Sequence, residues 1–399
     1  MKFYVNYRCS GKARAGVLHL GNFSSPIETP ALLLSTRKGL PAFLPPDLLT
    51  SLPSPDSRLF ATSPLHFLEG PLPKVMSNIG GLHQMLGLNG YGFAAVPRDS
   101  ILCLPEFDGT NKFGASFETP SGRRLIKPVE YVEMITSMKP DLWATLADEV
   151  PAWVSEKRNA ISVNRTLKWL DECIMLSLGG GAIFGAIVGG SNMEERRRCA
   201  TEVARRSTSG YWIGGFGLGE SINDRSALLN AVTDHLQDEQ PRQICGLGFP
   251  EEVLLGVAAG IDLFDSTYIY QLTLDGFGLI FPFNSERRFA GPDQSNVGGD
   301  STKINLKATA YRKDISPIVA ECNCYTCLNH TKAYIHHLLN VHEMLAQILL
   351  EIHNTHHYLV FFRSIREAIK AGKFEQFRNS FLLSRRDHVV SAGACRTAL

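Results

Sequence analysis

Three cysteines fall within six residues of the stretch ECNCYTCLNH, residues 321–330, whereas the chain spreads its other six over the remainder of 399 residues. Cys322, Cys324 and Cys327 follow a C-x-C-x2-C spacing, short enough for three thiolates to converge on one ion from a tight loop. Tetrahedral zinc then needs a fourth ligand, and Cys3His is one of its usual sets. His330, His336, His337, His342, His353, His356 and His357 all follow the cluster. His353 continues an apolar stripe made by Ile335, Leu338, Leu339, Leu345, Ile348, Leu349 and Ile352, so packing would fix its reach; His330 is the nearer alternative. A disulfide would leave one thiol over, an iron–sulfur cluster usually takes four thiolates, and unconnected core cysteines are the remaining reading. Four protein ligands close the coordination sphere, which makes such a site structural and leaves no position for a substrate or an activated water.

A second set of reactive groups sits where apolar runs end. Residues 141–150 read DLWATLADEV, 182–192 read AIFGAIVGGSN ahead of MEERRRCATEVARR, and 211–220 read YWIGGFGLGE. QICGLGFPEEVLLGVAAGIDLFDSTY, residues 243–268, runs strand, turn with Pro250, helix and strand again. Buried strands alternating with amphipathic helices predict a parallel sheet in an α/β protein. In a closed (β/α)8 barrel the residues just past each strand gather at one mouth, here Asp148, Gly189 and Gly190, Gly214 and Gly215, and Asp265. An open doubly wound sheet gives the same local alternation. A carboxylate such as Asp265 at a barrel mouth can be a nucleophile or an ordinary acid ending a strand.

The elements around these residues set the organisation. FAGPDQSNVGGDSTKIN, residues 289–305, is rich in glycine and turn formers and is expected to be a flexible loop between barrel and cysteine cluster. AYIHHLLNVHEMLAQILLEIH then predicts one packing helix. Past IHN, a last helical segment carries Arg363, Arg366, Lys370, Lys373, Arg378, Arg385 and Arg386 against only Glu367 and Glu375, either as a solvated basic face or as a phosphate contact. The expected division is a barrel over 1–305, a metal-binding subdomain over 306–357, and a basic helix and tail over 358–399 packing on the barrel. With 44% hydrophobic residues, 20% charged and a formal charge of +1, the chain is globular, and a nucleic-acid partner needs a local basic face. The start MKFYVNYRCSGKARAGVL lacks a signal-peptide core, and runs such as AIFGAIV are far too short to span a membrane, so reduced thiols and a soluble intracellular protein are expected.

CNCYTCLNHTKAYIHHLL followed by IHN resembles the zinc signature of the tRNA-guanine transglycosylase family. The resemblance extends from TPALLLSTRKGLPAFLPPDLL to IREAI through GGLHQMLGLNGYG, DLWATLADE, FGAIVGG, WIGGFGLGE and PEEVLLGVAAGIDLFD. It implies a (β/α)8 barrel with a C-terminal zinc insertion, one Zn2+ on Cys322, Cys324, Cys327 and His353, and a nucleophile position at Asp265. Catalytic members replace a guanine at the anticodon's first position by a deazaguanine, through a covalent ribosyl-enzyme intermediate that needs a carboxylate nucleophile and an acid/base partner. Here the family's D-S-G-G-F-Q region reads FAAVPRDS, which by a gap-free count from Gly90 puts Ala95 in the acid/base position, with Asp99 and Ser100 four residues late. Val188 replaces the glutamine of V-Q-G-G, and Ile269, Tyr270 and Gln271 replace P-T-R, while Asp148, Gly189, Gly190, Gly214 and Gly215 persist where base-binding groups belong. The resemblance is therefore to the non-catalytic eukaryotic branch: a subunit that pairs with a catalytic queuine tRNA-ribosyltransferase chain, supports tRNA binding, and forms a homodimer when alone. It also implies a cytoplasmic location with peripheral association at the mitochondrial outer membrane. The alternative is an active enzyme using Asp265 with Asp99 or Asp148 as acid/base.

Overall fold

Eight short apolar runs form parallel strands: β1 Ala31–Ser35, β2 Leu59–Thr62, β3 Gly92–Ala95, β4 Leu142–Ala144, β5 Ala182–Ile187, β6 Gly210–Ile213, β7 Arg242–Cys245 and β8 Leu263–Ser266. Each pairs with the next and β8 pairs with β1, closing a barrel. The computed structural model describes residues 1–21, 26–68, 72–99, 101, 103–177, 179–281 and 302–383, without the side chains of Leu72, Pro73 and Ser266. The barrel, and not the open sheet, is the arrangement adopted.

The pleat decides which side chains enter the barrel. A Cβ on Gly185 would lie 2.5 Å from Val203, on the outer helix α2 (Met193–Ala204), so Gly185 faces outward and Phe184 and Ala186 face in. Register carries the inward set around: Ala186 lies beside Trp212, Trp212 beside Gln243, and Cys245 beside Asp265. Asp265 therefore projects into the barrel at the C-terminal end of β8. Between β4 and β5 runs α1 (Glu156–Leu176), opened by Ser155, whose side chain accepts from the Arg158 N–H. After β7, Pro250 opens the helix Pro250–Ala258, and Glu252 accepts from the Gly248 and Phe249 amides, which fixes that turn.

The chain divides into two compact units, residues 1–41 with 55–267, and residues 42–54 with those from 268 onward. The sequence division carries the barrel to 305, but the first unit stops directly after β8. Within the second unit, strand Phe277–Leu279 pairs antiparallel with Lys303–Asn305. The expected loop at 289–305 thus ends in a strand, and its residues 289–301 lie outside the described residues. Helices α3 (Tyr325–Asn329), α4 (Lys332–Asn340) and α5 (Leu345–Lys370) close round a core that includes Leu306, Tyr311, Ile318, Ile335, Leu338 and Leu349. Segment 42–54 is tied in where the Phe43 N–H donates to Glu351, 2.7 Å away, a carboxyl that burial pushes up to about 7.

Two helix boundaries differ from the pattern in the sequence. The single packing helix is broken at residues 341–344, where His342 adopts φ +59°, and α5 then runs without interruption past residue 357. The polar run His353–Asn354–Thr355–His356–His357 suggested an end, yet all five are buried inside α5, several of them bonded to one strand and its continuation. Asn354 donates to Phe277 O at 2.9 Å and accepts from the Leu279 N–H at 2.9 Å, and His357 donates from Nε2 to Phe281 O at 2.9 Å. The expected basic face is also smaller, because Arg366 is 1% exposed and Arg385 and Arg386 lie outside the described residues.

Candidate functional site

At the metal cluster the geometry is direct. His353 Nδ1 lies 3.8 Å from Cys322 Sγ, 3.5 Å from Cys324 Sγ and 3.3 Å from Cys327 Sγ, and the four donor atoms all fall within 4.8 Å of one another. Cys324 caps α3, its sulfur accepting the Cys327 N–H at 3.3 Å, so a tight turn converges two of the sulfurs. On the other side, His353 Nε2 donates to Leu279 O at 2.8 Å, which leaves Nδ1 as the lone-pair nitrogen aimed at the thiols. His330 does not join the group: its ring stacks on Tyr334, with centroids 5.5 Å apart. Without a cation the sulfurs cannot ionise together. Hydrogen bonds from Cys324 and Cys327 hold the Cys322 thiol far below its ordinary range, and the same contacts push Cys324 far above. Three soft sulfurs and one fixed imidazole fit a tetrahedral metal ion, and with four ligands such an ion acts as a cross-link.

At the barrel mouth the groups are arranged differently. Arg98, three residues past the end of β3 and 4% exposed, donates from Nη1 to Glu149 at 3.2 Å and to Phe216 O at 2.9 Å. Glu149, after β4, also accepts the Gly215 N–H at 2.6 Å. A Cβ on Gly246, after β7, would come within 3.4 Å of Arg98 Nη1, so the guanidinium lies across the loops that follow β4, β6 and β7. Burial alone would depress Arg98, but the nearby Glu149, Cys245 and Asp265 outweigh it and hold the group above its ordinary value. Asp265 is buried at the end of β8; desolvation first and the Asp99 charge second push its carboxyl up to about 7, against the pull of Arg98.

Ala95 is the last residue of β3, fully buried in an apolar cluster with Leu65, Trp143 and Trp169 that lies outside the strands. The charge of Asp99, and less strongly that of Glu149, raises Asp265, so the mouth holds further acids beside it. Asp99 is already engaged: Oδ2 is 2.7 Å from His66 Nε2 and Oδ1 accepts the Ile101 N–H at 2.9 Å. The Lys38 N–H points at His66 Nδ1, 3.3 Å away, which puts the imidazole proton on Nε2, facing Asp99. Cys103 joins these two within 4.8 Å, but burial pushes its thiol up to about 12 and the imidazole tautomer opposes a cation at Nε2.

Asp148, the other acid at the mouth, is wholly buried and bound to α1. Arg158 grips it through Nη1 at 2.8 Å and Nη2 at 2.7 Å, and Arg165 adds a contact at 3.1 Å. Its lone pairs are directed at arginines from its own outer helix. The glycines are equally explained from within. Arg196 of α2, fully buried, donates to the carbonyls of Gly190, Gly214 and Gly215 at 2.7, 3.2 and 2.9 Å and lies over the Phe216 ring. A Cβ on Gly189 (φ +149°) would sit 2.7 Å from the Arg196 backbone nitrogen, and one on Gly190 (φ +52°) 2.4 Å from Asn159 Oδ1. Val188 is buried with its N–H on Cys199 Sγ at 3.4 Å. Ile269, Tyr270 and Gln271 lie in helix Tyr268–Asp275 of the second unit, where Tyr270 stacks on Phe43. Arg98, Glu149 and Arg196 were not singled out as site residues, and only Glu149's position beside Asp148 could have marked it.

A closed eight-stranded (β/α) barrel with a Cys3His cluster beyond its last strand defines a barrel protein with an appended metal-binding module. The profile of the queuine tRNA-ribosyltransferase family matches residues 9–387, and the chain belongs to that family. It is 35% identical over 406 residues to the queuine tRNA-ribosyltransferase accessory subunit 2 of Xenopus tropicalis, covering 94% of this chain and 97% of that protein. It is 37% identical over 356 residues to the Homo sapiens protein of the same name (79% of this chain, 86% of that one) and 31% identical over 363 residues to that of Ixodes scapularis (88% and 91%). Among the described residues, no helix is long and apolar enough to cross a membrane.

Proposed function

We propose that this chain is the non-catalytic subunit of a heterodimeric queuine tRNA-ribosyltransferase, pairing with a catalytic chain that exchanges guanine for queuine at the wobble position of tRNAs with GUN anticodons, those for Asp, Asn, His and Tyr. The observation that carries the proposal is Arg98 laid across the barrel mouth on Glu149 and Phe216 O, so that those acceptors are already taken. Asp265, pushed up to about 7, is only partly ionised near neutral pH, and its protonated fraction is a weak nucleophile. Its neighbour Asp99 is committed to His66 and to a backbone amide. In this proposal Cys322, Cys324, Cys327 and His353 hold one structural zinc ion, which keeps the C-terminal helices in shape for the partner, and tRNA binding is shared between the chains. In the absence of the catalytic chain it pairs with itself. The proposed location is the cytoplasm with peripheral attachment to the mitochondrial outer membrane, checked by fractionation with and without high salt.

The test is base exchange by each chain alone and by the two co-expressed. Guanine incorporation into tRNA by the pair but not by this chain is the expected outcome; exchange by this chain alone at the rate of the pair overturns the proposal. The second reading, an active transglycosylase, is favoured by one observation: Asp99 is close enough to Asp265 to raise its pKa, so a carboxylate pair exists. It requires a covalent RNA adduct on a denaturing gel that disappears in Asp265→Asn. No adduct is expected.

A further inference from the structure

We propose that Arg98 is a built-in occupant of the base pocket, its guanidinium standing where a guanine-like base would put its own planar N–C–N edge. The inference rests on the functional reading above and names what fills that site. A guanidinium and the amino-pyrimidinone edge of guanine share a flat array of N–H donors around one carbon, and both suit a carboxylate beside a carbonyl acceptor. Arg98 meets both acceptors through one terminal amino group, as an amino group on such an edge would. Nη1 donates to the Glu149 carboxylate at 3.2 Å and to Phe216 O at 2.9 Å. Backbone without a side chain lies close to the guanidinium: Cβ atoms on Gly217 and Gly246 would fall 3.7 Å from Nη2 and 3.4 Å from Nη1. Both glycines have positive φ, +71° and +89°, so the loops keep a conformation that leaves a flat slot.

A second observation is that the fit of Arg98 is incomplete. Arg98 Nε is buried and has no hydrogen-bond partner, although Arg98 is only 4% exposed. A bicyclic base would bring an acceptor-bearing ring into the space that the aliphatic stem and Nε now fill. Glu149 is held independently by the Gly215 N–H at 2.6 Å, and the Phe216 carbonyl is placed by the loop that Arg196 braces through Gly214 and Gly215. The acceptors therefore do not depend on Arg98 for their positions.

Removing the side chain should leave a slot that takes the class of ligand it imitates. In Arg98→Ala, millimolar methylguanidine and, separately, guanine at its solubility limit should each raise the melting temperature by about 2–4 °C when present at ten times their dissociation constant. The unaltered chain should respond to neither, and methylammonium, a cation without the planar edge, should do nothing in either protein. Adding Glu149→Gln to Arg98→Ala should abolish the guanidine response. If Arg98→Ala melts below the working temperature, cooperative melting restored by methylguanidine but not by methylammonium supports the proposal, and restoration by neither overturns it. A folded Arg98→Ala that binds neither probe, or an unaltered chain that binds guanine as tightly as the variant, also overturns it. Base exchange by the unaltered chain alone would instead strike the functional reading, so the two failures are distinguishable.

Discussion

At the Cys3His cluster four donor atoms converge on a common centre, and the supporting bonds run away from it, from His353 Nε2 to Leu279 O and from Asn354 to the same strand. At the barrel mouth the polar groups are turned on one another: Arg98 on Glu149, His66 on Asp99, Arg158 and Arg165 on Asp148, and Arg196 on the glycine carbonyls. The first arrangement leaves its donors facing one another, with the Cys322 thiol held far below its ordinary range and the Cys324 thiol far above it by their mutual contacts. The second is nearly complete without a substrate. A site that satisfies itself in this way offers a substrate few unpaired groups, in keeping with the proposed non-catalytic role, while the four donors of the cluster are left available to a metal ion.

The largest effect that can break this comparison lies at the cluster. Cys324→Ala and His353→Ala should each lose the bound metal and unfold the C-terminal module, since structural zinc contributes ~10–16 kcal/mol of apparent binding free energy in small modules. Elemental analysis with hydrogen exchange over residues 302–383 checks this, with protection of β1–β8 as the internal reference. Full metal content in both variants would refute the ligand assignment.

Next in size is Asp148→Ala, which strands Arg158 and Arg165 and should cost about 3 kcal/mol in urea unfolding, toward the lower end for a broken buried pair because both arginines are partly exposed. If Asp148 served chiefly to hold a base, the variant would keep its stability and lose binding alone.

Asp265→Asn sharpens the contrast through its pH dependence. As pH rises from about 4, the unfolded carboxyl ionises first while the buried one stays protonated until about 7, so this group increasingly disfavours the fold across that window, and the cost is constant above it. The variant should therefore be more stable than the parent by about 2–4 kcal/mol at pH 8 and equal to it at pH 3.5, read from paired denaturation curves. Equal stability at both pH values would mean that the carboxylate is not buried against charge.

The smallest expected effect is Gly190→Ala, where φ is +52° and the new methyl would meet Asn159 Oδ1 at 2.4 Å. A loss of about 1–2 kcal/mol with no ligand present would show that the glycine serves the Arg196 brace. Unchanged stability would return it to a substrate role.

Much of the architecture was legible because strands and ligands obey local rules. The alternation of apolar runs, glycine breaks and helices announced parallel strands, and the strand–Pro250–helix–strand unit formed as spaced. Helix limits near the metal site were not legible. Polar residues such as Asn354 and His357 resemble a helix end until one sees that the backbone of residues 277–281 satisfies them. The reach of Asp99 was less legible for a related reason: a count measures position along the chain, and the turn after β3 decides where that acid's charge falls.

By itself, the sequence determined the kind of strands, the three converging sulfurs with a histidine candidate on a packed helix, and an acid at the end of the last strand, because each depends on residue type and on spacing over a few residues. Tertiary structure alone decided that Arg98 lies across the mouth, that Asp148 belongs to α1's arginines and that the glycines cradle Arg196. Those outcomes depend on which of several possible partners a charged side chain meets when strands 50 to 120 residues apart are brought together, as with Arg98 and Glu149 (|i−j| = 51) or Phe216 (|i−j| = 118). Burial then fixes the choice, because an unpaired charge inside the barrel costs far more than it does in water.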